Sequence, residues 1–172
     1  MTRDSRASTR LASTWTRGNR RGASGRDART VLAEKGTIMK RSEVQEWIDD
    51  LLSGEFPQGK GALNRSGTGF CCLGVKCERD ARTRRHGIVR KSGVNGDVKY
   101  GIEGIPASSG TMPTDAILAA WGLSYDQARK LAGLNDGDLI AGTDPQPFPV
   151  IAEWIRKNIL PDATDDDPTA AE

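Results

Sequence analysis

The sequence of 172 residues contains no long hydrophobic run. Its longest apolar stretches fall far short of the roughly 18–20 residues that a helix needs to cross a bilayer, so we expect no contact with a membrane. No apolar segment follows Arg20 and Arg21, and the pair therefore does not indicate an export signal. We expect a soluble protein that works in a cytoplasm.

Cysteine and histidine are also scarce, with three cysteines and one histidine in the chain. Three cysteines, two of them adjacent, do not resemble the disulfide framework of a secreted domain, which again favours a reducing cytoplasm. All three lie within residues 69–77, where Phe70, Gly74 and Cys77 recur at helical spacing. The pattern predicts a helix whose small cysteines fill a tight contact, with another element packed closely against Gly74.

Two other interpretations of these cysteines stay open. Cys71 or Cys72 lies near the predicted N-terminus of the helix, where a thiolate is favoured, and His86 could act as its base in a cysteine-dependent enzyme. Alternatively Cys71, Cys72, Cys77 and His86 would be the ligands of a small structural zinc protein, although structural zinc ligands usually come as two pairs spaced two to four residues apart. The packing interpretation, which we favour, requires no metal or cofactor.

Charge is distributed unevenly along the chain. Residues 1–38 hold nine Lys or Arg and three acidic residues, whereas the remainder holds sixteen basic and twenty acidic residues. The first segment shows no periodicity, so we expect a disordered basic arm that either binds nucleic acid or an acidic partner or, as we favour, lies upstream of a natural start at Met39. Residues 161–172, with three consecutive aspartates, are expected to form a disordered acidic tail.

The segment between the arm and the tail predicts one α+β domain over residues 39–160, with four or five helices packed on a short antiparallel sheet. Capping boxes starting at Ser42 and Ser124 predict two helices, and Tyr125 and Val150 are among the residues expected on buried helix faces. A hairpin is expected to join residues 62–65 and 68–70, and further strands lie near 87–90 and 97–102, with a turn at Asn95-Gly96.

Anion binding is suggested by two basic segments. Residues 54–61 nearly match the phosphate-binding loop G-x-x-x-x-G-K-[ST], but Gly61 replaces the hydroxyl residue and a helix precedes the loop, so a nucleotide triphosphatase is not indicated. Backbone N–H groups of this loop and Lys60 could still hold an anion. With Arg84 and Arg85 from the downstream basic run, Lys60 forms our predicted site for a small anionic ligand. Asn135 is interpreted as a turn former.

Several short motifs run through the predicted domain. They are Trp47, Ser53-Gly54-Glu55, Gln58-Gly59-Lys60-Gly61, Phe70-Cys71-Cys72-Leu73-Gly74-Val75 with Cys77, Leu134-Asn135-Asp136, Phe148, Ile151-Ala152 and Trp154-Ile155. This pattern resembles a family of small, uncharacterised phage proteins. The resemblance implies a phage or prophage origin and brings no catalytic residue. It suggests an accessory protein that binds a host factor or a small anionic ligand in the host cytoplasm, for host takeover or counter-defence.

Overall fold

The computed structural model describes residues 38–66, 68–93, 96–107, 110–137 and 143–165. The predicted arm up to residue 37, the tail from residue 166 and Asn95 of the predicted turn lie outside these ranges. The described chain forms five α-helices and a four-stranded antiparallel sheet in one domain, which confirms the predicted α+β class. No helix in these ranges combines the length and apolar content needed to cross a membrane. The elements are α1 (Arg41–Leu52), β1 (Asn64–Arg65), β2 (Gly69–Phe70), α2 (Cys72–Thr83), β3 (Ile88–Ser92), β4 (Asp97–Ile102), α3 (Asp115–Trp121), α4 (Tyr125–Asp136) and α5 (Phe148–Asn158).

The sheet has the strand order β2-β1-β4-β3. The predicted hairpin is present, since Asn64 of β1 lies opposite Phe70 of β2 and, on its other side, opposite Val98 of β4. In the longer strands, Ile88 at the start of β3 and Val98 and Tyr100 of β4 are buried against the helical layer. The sheet therefore packs against one side of the helical layer.

Helix α2 lies at the centre of the domain. Every residue from Cys72 to Glu78 is buried, as is Asp80, and none of the three cysteines is more than 3% exposed. The indole Nε1 of Trp47 in α1 donates a hydrogen bond of 2.9 Å to the carbonyl oxygen of Cys72. The cysteines thus have the packing role that the sequence predicts.

Gly74 allows the chain before β1 to approach α2 closely. A methyl group placed on Gly74 would lie 1.5 Å from the carbonyl oxygen of Leu63, which is a severe clash with the backbone. The predicted close contact at this glycine is therefore confirmed. Its partner is the backbone at Leu63, immediately before β1.

The start of α1 differs from the prediction. The helix begins at Arg41 with Lys40 as its N-cap, so Ser42 lies inside the helix and does not cap it. The backbone carbonyl of Thr164 accepts from the N–H of Arg41 at 2.7 Å, and the N–H of Thr164 donates to the carbonyl of Met39 at 3.1 Å. The prediction of a disordered tail from residue 161 is wrong for residues 161–165. Ala163 is buried, and this segment pairs with the start of α1.

Two predicted core residues lie on the surface. Tyr125 is 58% exposed and Val150 is 45% exposed. The buried stripe of α4 runs instead through Ala128, Leu131 and Asn135. Helix α5 buries Phe148, Ile151, Ala152 and Ile155, which leaves Val150 on the outer side of the helix.

Replacing Gly74 with alanine should destabilise the domain by about 3 kcal/mol, because the new methyl group overlaps backbone that has little room to move. The matched control is Gly133→Ala in α4, where an added methyl group meets nothing within 4 Å. The control should stabilise the fold by about 0.5–1 kcal/mol through helix propensity. Urea denaturation of both variants measures the difference, and a neutral Gly74→Ala would contradict the packing.

Candidate ligand-binding cleft

The cysteine thiols are poor candidates for catalysis. Cys71 is the N-cap of α2, and its Sγ accepts a hydrogen bond of 3.3 Å from the N–H of Gly74. Burial nevertheless raises the pKa of Cys71 to about 12 and raises the pKa values of Cys72 and Cys77 well above that of an ordinary thiol. The loss of hydration outweighs the helix N-terminus, so all three remain thiols at neutral pH.

His86 is engaged by a carboxylate of α1. Its Nε2 lies 3.1 Å from Oε2 of the buried Glu43. Burial acts to raise the pKa of Glu43, but the His86 hydrogen bond and the charges of Lys76, His86 and Arg85 outweigh it and leave that pKa below its usual value. His86 is therefore a structural partner of Glu43. Within the described ranges, no three His, Cys, Asp or Glu side chains are grouped as metal ligands would be.

Iodoacetamide near neutral pH should leave the native protein unmodified, because the thiols are buried and protonated. After denaturation, mass spectrometry should detect modification of all three cysteines. Fast labelling of a single cysteine in the native protein, slowed by His86→Ala, would instead support a cysteine-dependent enzyme.

The downstream basic run is largely neutralised within the domain. Several of its arginines bind carboxylates of α1, of α2 or of the loop after α1, and such contacts leave little charge for a ligand. The pairs are Arg79 with Asp50, Arg82 with Glu55 and Glu78, Arg85 with Glu46, and Arg90 with Glu78. Arg85, one of the predicted ligand contacts, is therefore already occupied.

Lys60 and Arg84 lie at opposite ends of α2. Lys60 belongs to the exposed loop beside Cys72, whereas Arg84 is the left-handed C-cap of the helix, with φ of +52°. A helix of 12 residues is about 18 Å long, so Lys60 does not join the two arginines in one site. The loop N–H groups are also engaged, since Gly59 donates to the Phe70 carbonyl and Gly61 to a carboxylate oxygen of Asp136.

Asn135 joins four segments of the chain. It is fully buried; its Nδ2 donates to the carbonyl of Gly59 at 2.8 Å, and its Oδ1 accepts from the N–H of Cys72 at 3.2 Å. The same Oδ1 accepts from Nε2 of Gln58, whose own Oε1 accepts from the N–H of Phe148 at 3.0 Å. We call Gln58, Asn135 and Asp136 the polar knot. The interpretation of Asn135 as a turn former is wrong, and its spacing of i+4 from Leu131 would have placed it on the inner face of α4.

A cleft of about 440 Å³ opens next to the polar knot, between α4 and the start of α5. This volume falls within the range of small-molecule sites. Arg129 and Lys130 are exposed on its α4 side and form no ion pair with the described residues, while Leu134 and Val150 contribute apolar surface. The full lining is Asp126, Arg129, Lys130, Gly133, Leu134, Thr143, Asp144, Gln146 and Val150.

The wall of this cleft is held in place by the polar knot. The N–H of Gln146 donates to the carbonyl of Leu134 at 2.7 Å, and its Nε2 donates to the carbonyl of Asp144 at 2.8 Å. Nε2 of Gln58 donates in turn to the carbonyl of Gln146 at 2.8 Å. A cleft fixed by such bonds is preorganised, which lowers the entropic cost of binding. The sequence pattern did not indicate this cleft, although Arg129 and Lys130 lie on the polar side of a recognisable helix.

The fold and the cleft define a small α+β domain in which several of the short sequence motifs, those of Gln58, Cys72, Asn135 and Phe148, meet in one hydrogen-bonded knot. Residues 39–159 match the model of a family described as a domain of unknown function (DUF8296), and the chain belongs to that family. No curated protein and no solved structure matched the chain. The family match covers nearly all of the described domain and brings no activity with it.

Substituting Asn135 with alanine should cost about 3 kcal/mol of stability, because the N–H of Cys72 and the carbonyl of Gly59 would lose a buried partner. Asn158→Ala is the control, since this asparagine is exposed and, among the described residues, its side chain bonds only the carbonyl of Trp154 in its own helix. Its effect should stay within about 0.5 kcal/mol. Equal melting temperatures for the two variants would show that the knot does not stabilise the fold.

Proposed function

We propose that the protein works by binding, and that its ligand is a small anion with an apolar part that occupies the cleft between α4 and α5. The observation that carries this proposal is the cleft itself, in which two cations without ion-pair partners among the described residues border apolar surface. A few polar groups around an apolar floor are typical of small-molecule sites. An enzyme built on the cysteines is disfavoured because their thiols are buried.

The charges of the cleft define the kind of anion. Arg129 and Lys130 are balanced by Asp126 and Asp144 in the same lining, so the cleft as a whole does not favour a highly charged polyanion. Asp126 lies in the first turn of α4, where the helix N-terminus stabilises a carboxylate. An anion held by Arg129 and Lys130, with its apolar part against Leu134 and Val150, satisfies both kinds of surface.

The biological setting that we propose is the cytoplasm of a host cell during infection. The resemblance of the Cys71-Cys72-Leu73-Gly74-Val75 motif and its companions to small phage proteins supports a phage or prophage origin. A binding protein of this size suits an accessory role in host takeover or counter-defence, in which it sequesters a small host molecule. A host protein is the other partner that this setting allows, but the concave shape of the cleft favours the small ligand.

A thermal-shift screen of the full chain against nucleoside monophosphates, sugar phosphates and aromatic or aliphatic carboxylates tests the proposal. A ligand present at a hundred times its Kd stabilises the native state by about 2.7 kcal/mol, which should raise the Tm by roughly 5–10 °C. The double variant Arg129→Ala/Lys130→Ala should abolish the shift. The matched control, Lys60→Ala/Arg84→Ala, removes two exposed cations elsewhere and should preserve it.

Two outcomes would contradict the proposal. A shift that persists in Arg129→Ala/Lys130→Ala and disappears in the control would move the ligand to the surface around Lys60 or around Arg84. Alternatively, neither the screen nor a small-molecule extract of host cells would stabilise the wild-type chain, which would exclude a small ligand.

A further inference from the structure

Helix α5 has a second partly apolar face that points away from the core. Val150 is 45% exposed, and Trp154 lies one turn further along with part of its side chain accessible. The two border an open depression of about 430 Å³ along the helix, next to the ligand cleft but on its outer side. The lining consists of Pro149, Val150, Glu153, Trp154, Lys157 and Asn158.

The depression is lined by one acid and one base, Glu153 and Lys157, and Arg156 adjoins it. Glu153 and Lys157 are one helical turn apart, with 3.4 Å between Oε1 and Nζ. The other oxygen of Glu153 accepts from Arg156 at 2.7 Å. The side chains of Glu153 and Lys157 are 47% and 70% exposed, so their mutual attraction contributes little to stability and can be exchanged for an equivalent contact.

We propose that this face of α5 binds the same face of a second copy of the chain, with the two helices antiparallel about a twofold axis. In such a dimer each surface meets itself, so the face must be self-complementary. An axis at the height of Ile155 brings Glu153 of each copy beside Lys157 of the other. Each Trp154 then lies about 1.5 Å along the helix from the axis, so the two indoles meet at the centre of the interface.

The sequence of charges along α5 is the reason for choosing a second copy over another partner. Glu153 is followed one turn later by Lys157. When the helix pairs antiparallel with its own copy, Glu153 of each copy attracts Lys157 of the other, which gives two attractive contacts. A strongly acidic or strongly basic partner would gain from one of these residues and lose from the other. The indole pair adds apolar contact at the centre, where tryptophan contributes most to binding.

The size of the face sets the expected affinity. An 11-residue helix is about 16 Å long, so a contact between two such helices lies at the small end of protein interfaces. We therefore expect a reversible dimer with a Kd on the order of 10 µM, which is populated at the concentrations used for sedimentation analysis.

Charge exchange between two variants tests the arrangement in the full chain. Glu153→Lys and Lys157→Glu should each be monomeric, with dimerisation weakened by at least about tenfold, because each turns two attractive contacts into repulsive ones. An equimolar mixture of the two variants should form a heterodimer, since every contact then joins opposite charges. The double variant Glu153→Lys/Lys157→Glu should dimerise like the wild type.

The control is Glu103→Lys, an exposed charge reversal outside the proposed interface, which should leave the dimer intact. Circular dichroism checks that all variants keep the fold, as expected for exposed side chains. A wild-type chain that sediments as a monomer up to about 100 µM, a tenfold excess over the expected Kd, would overturn the proposal. So would a dimer that Glu153→Lys and Lys157→Glu leave unchanged. Neither outcome decides the ligand proposal, which is tested with other variants, Arg129→Ala/Lys130→Ala.

Discussion

The domain depends on the burial of a helix that carries charge. Lys76 and Asp80 of α2 are 1% and 0% exposed as side chains, and the ammonium group of Lys76 bonds both carboxylate oxygens of Asp80 at 2.8 Å. The indole of Trp121 in α3 donates to the same carboxylate at 2.7 Å. In the described residues, no buried side-chain nitrogen or oxygen lacks a hydrogen-bond partner. An unpaired buried charge costs several kcal/mol. The elements around α2 therefore supply hydrogen-bond partners for its charged side chains, and these contacts fix the elements in position.

This constraint also determines where binding can occur. Carboxylates that pair with the arginines of α2 and the following turn, such as Asp50 and Glu46, neutralise much of the charge of the basic run. The cysteines are also inaccessible to a ligand, because all three are buried in the core. Arg129 and Lys130 of α4 are accessible, lack ion-pair partners among the described residues, and border the cleft next to the polar knot. The cysteine motif therefore builds the interior, whereas the two cations of the candidate site lie outside the motifs.

Features set by neighbouring residues could be predicted, and those set by distant ones could not. The capping box at Ser124 forms as its local pattern requires, with Gln127 completing it. The equivalent pattern at Ser42 does not cap, because Thr164, 122 positions later, supplies the acceptor for the first turn of α1. The role of Asn135 likewise depends on Gly59 and Cys72, which no local pattern relates to α4. The neutralisation of Arg85 has the same kind of cause, since Glu46, which pairs with it, comes from another helix.

The pairing of Lys40 with Thr164 has a mechanical consequence. The two backbone segments run parallel where they meet, so Met39, before the bridge, and Asp165, after it, lie on opposite sides of the bridge along the direction of the segments. A pull that draws these two segments apart along their length would slide one past the other and strain both hydrogen bonds at the same time. In an antiparallel pair the same pull would open one bond after another. The backbone hydrogen bonds at the Lys40–Thr164 bridge are thus arranged to resist tension between the two ends of the domain.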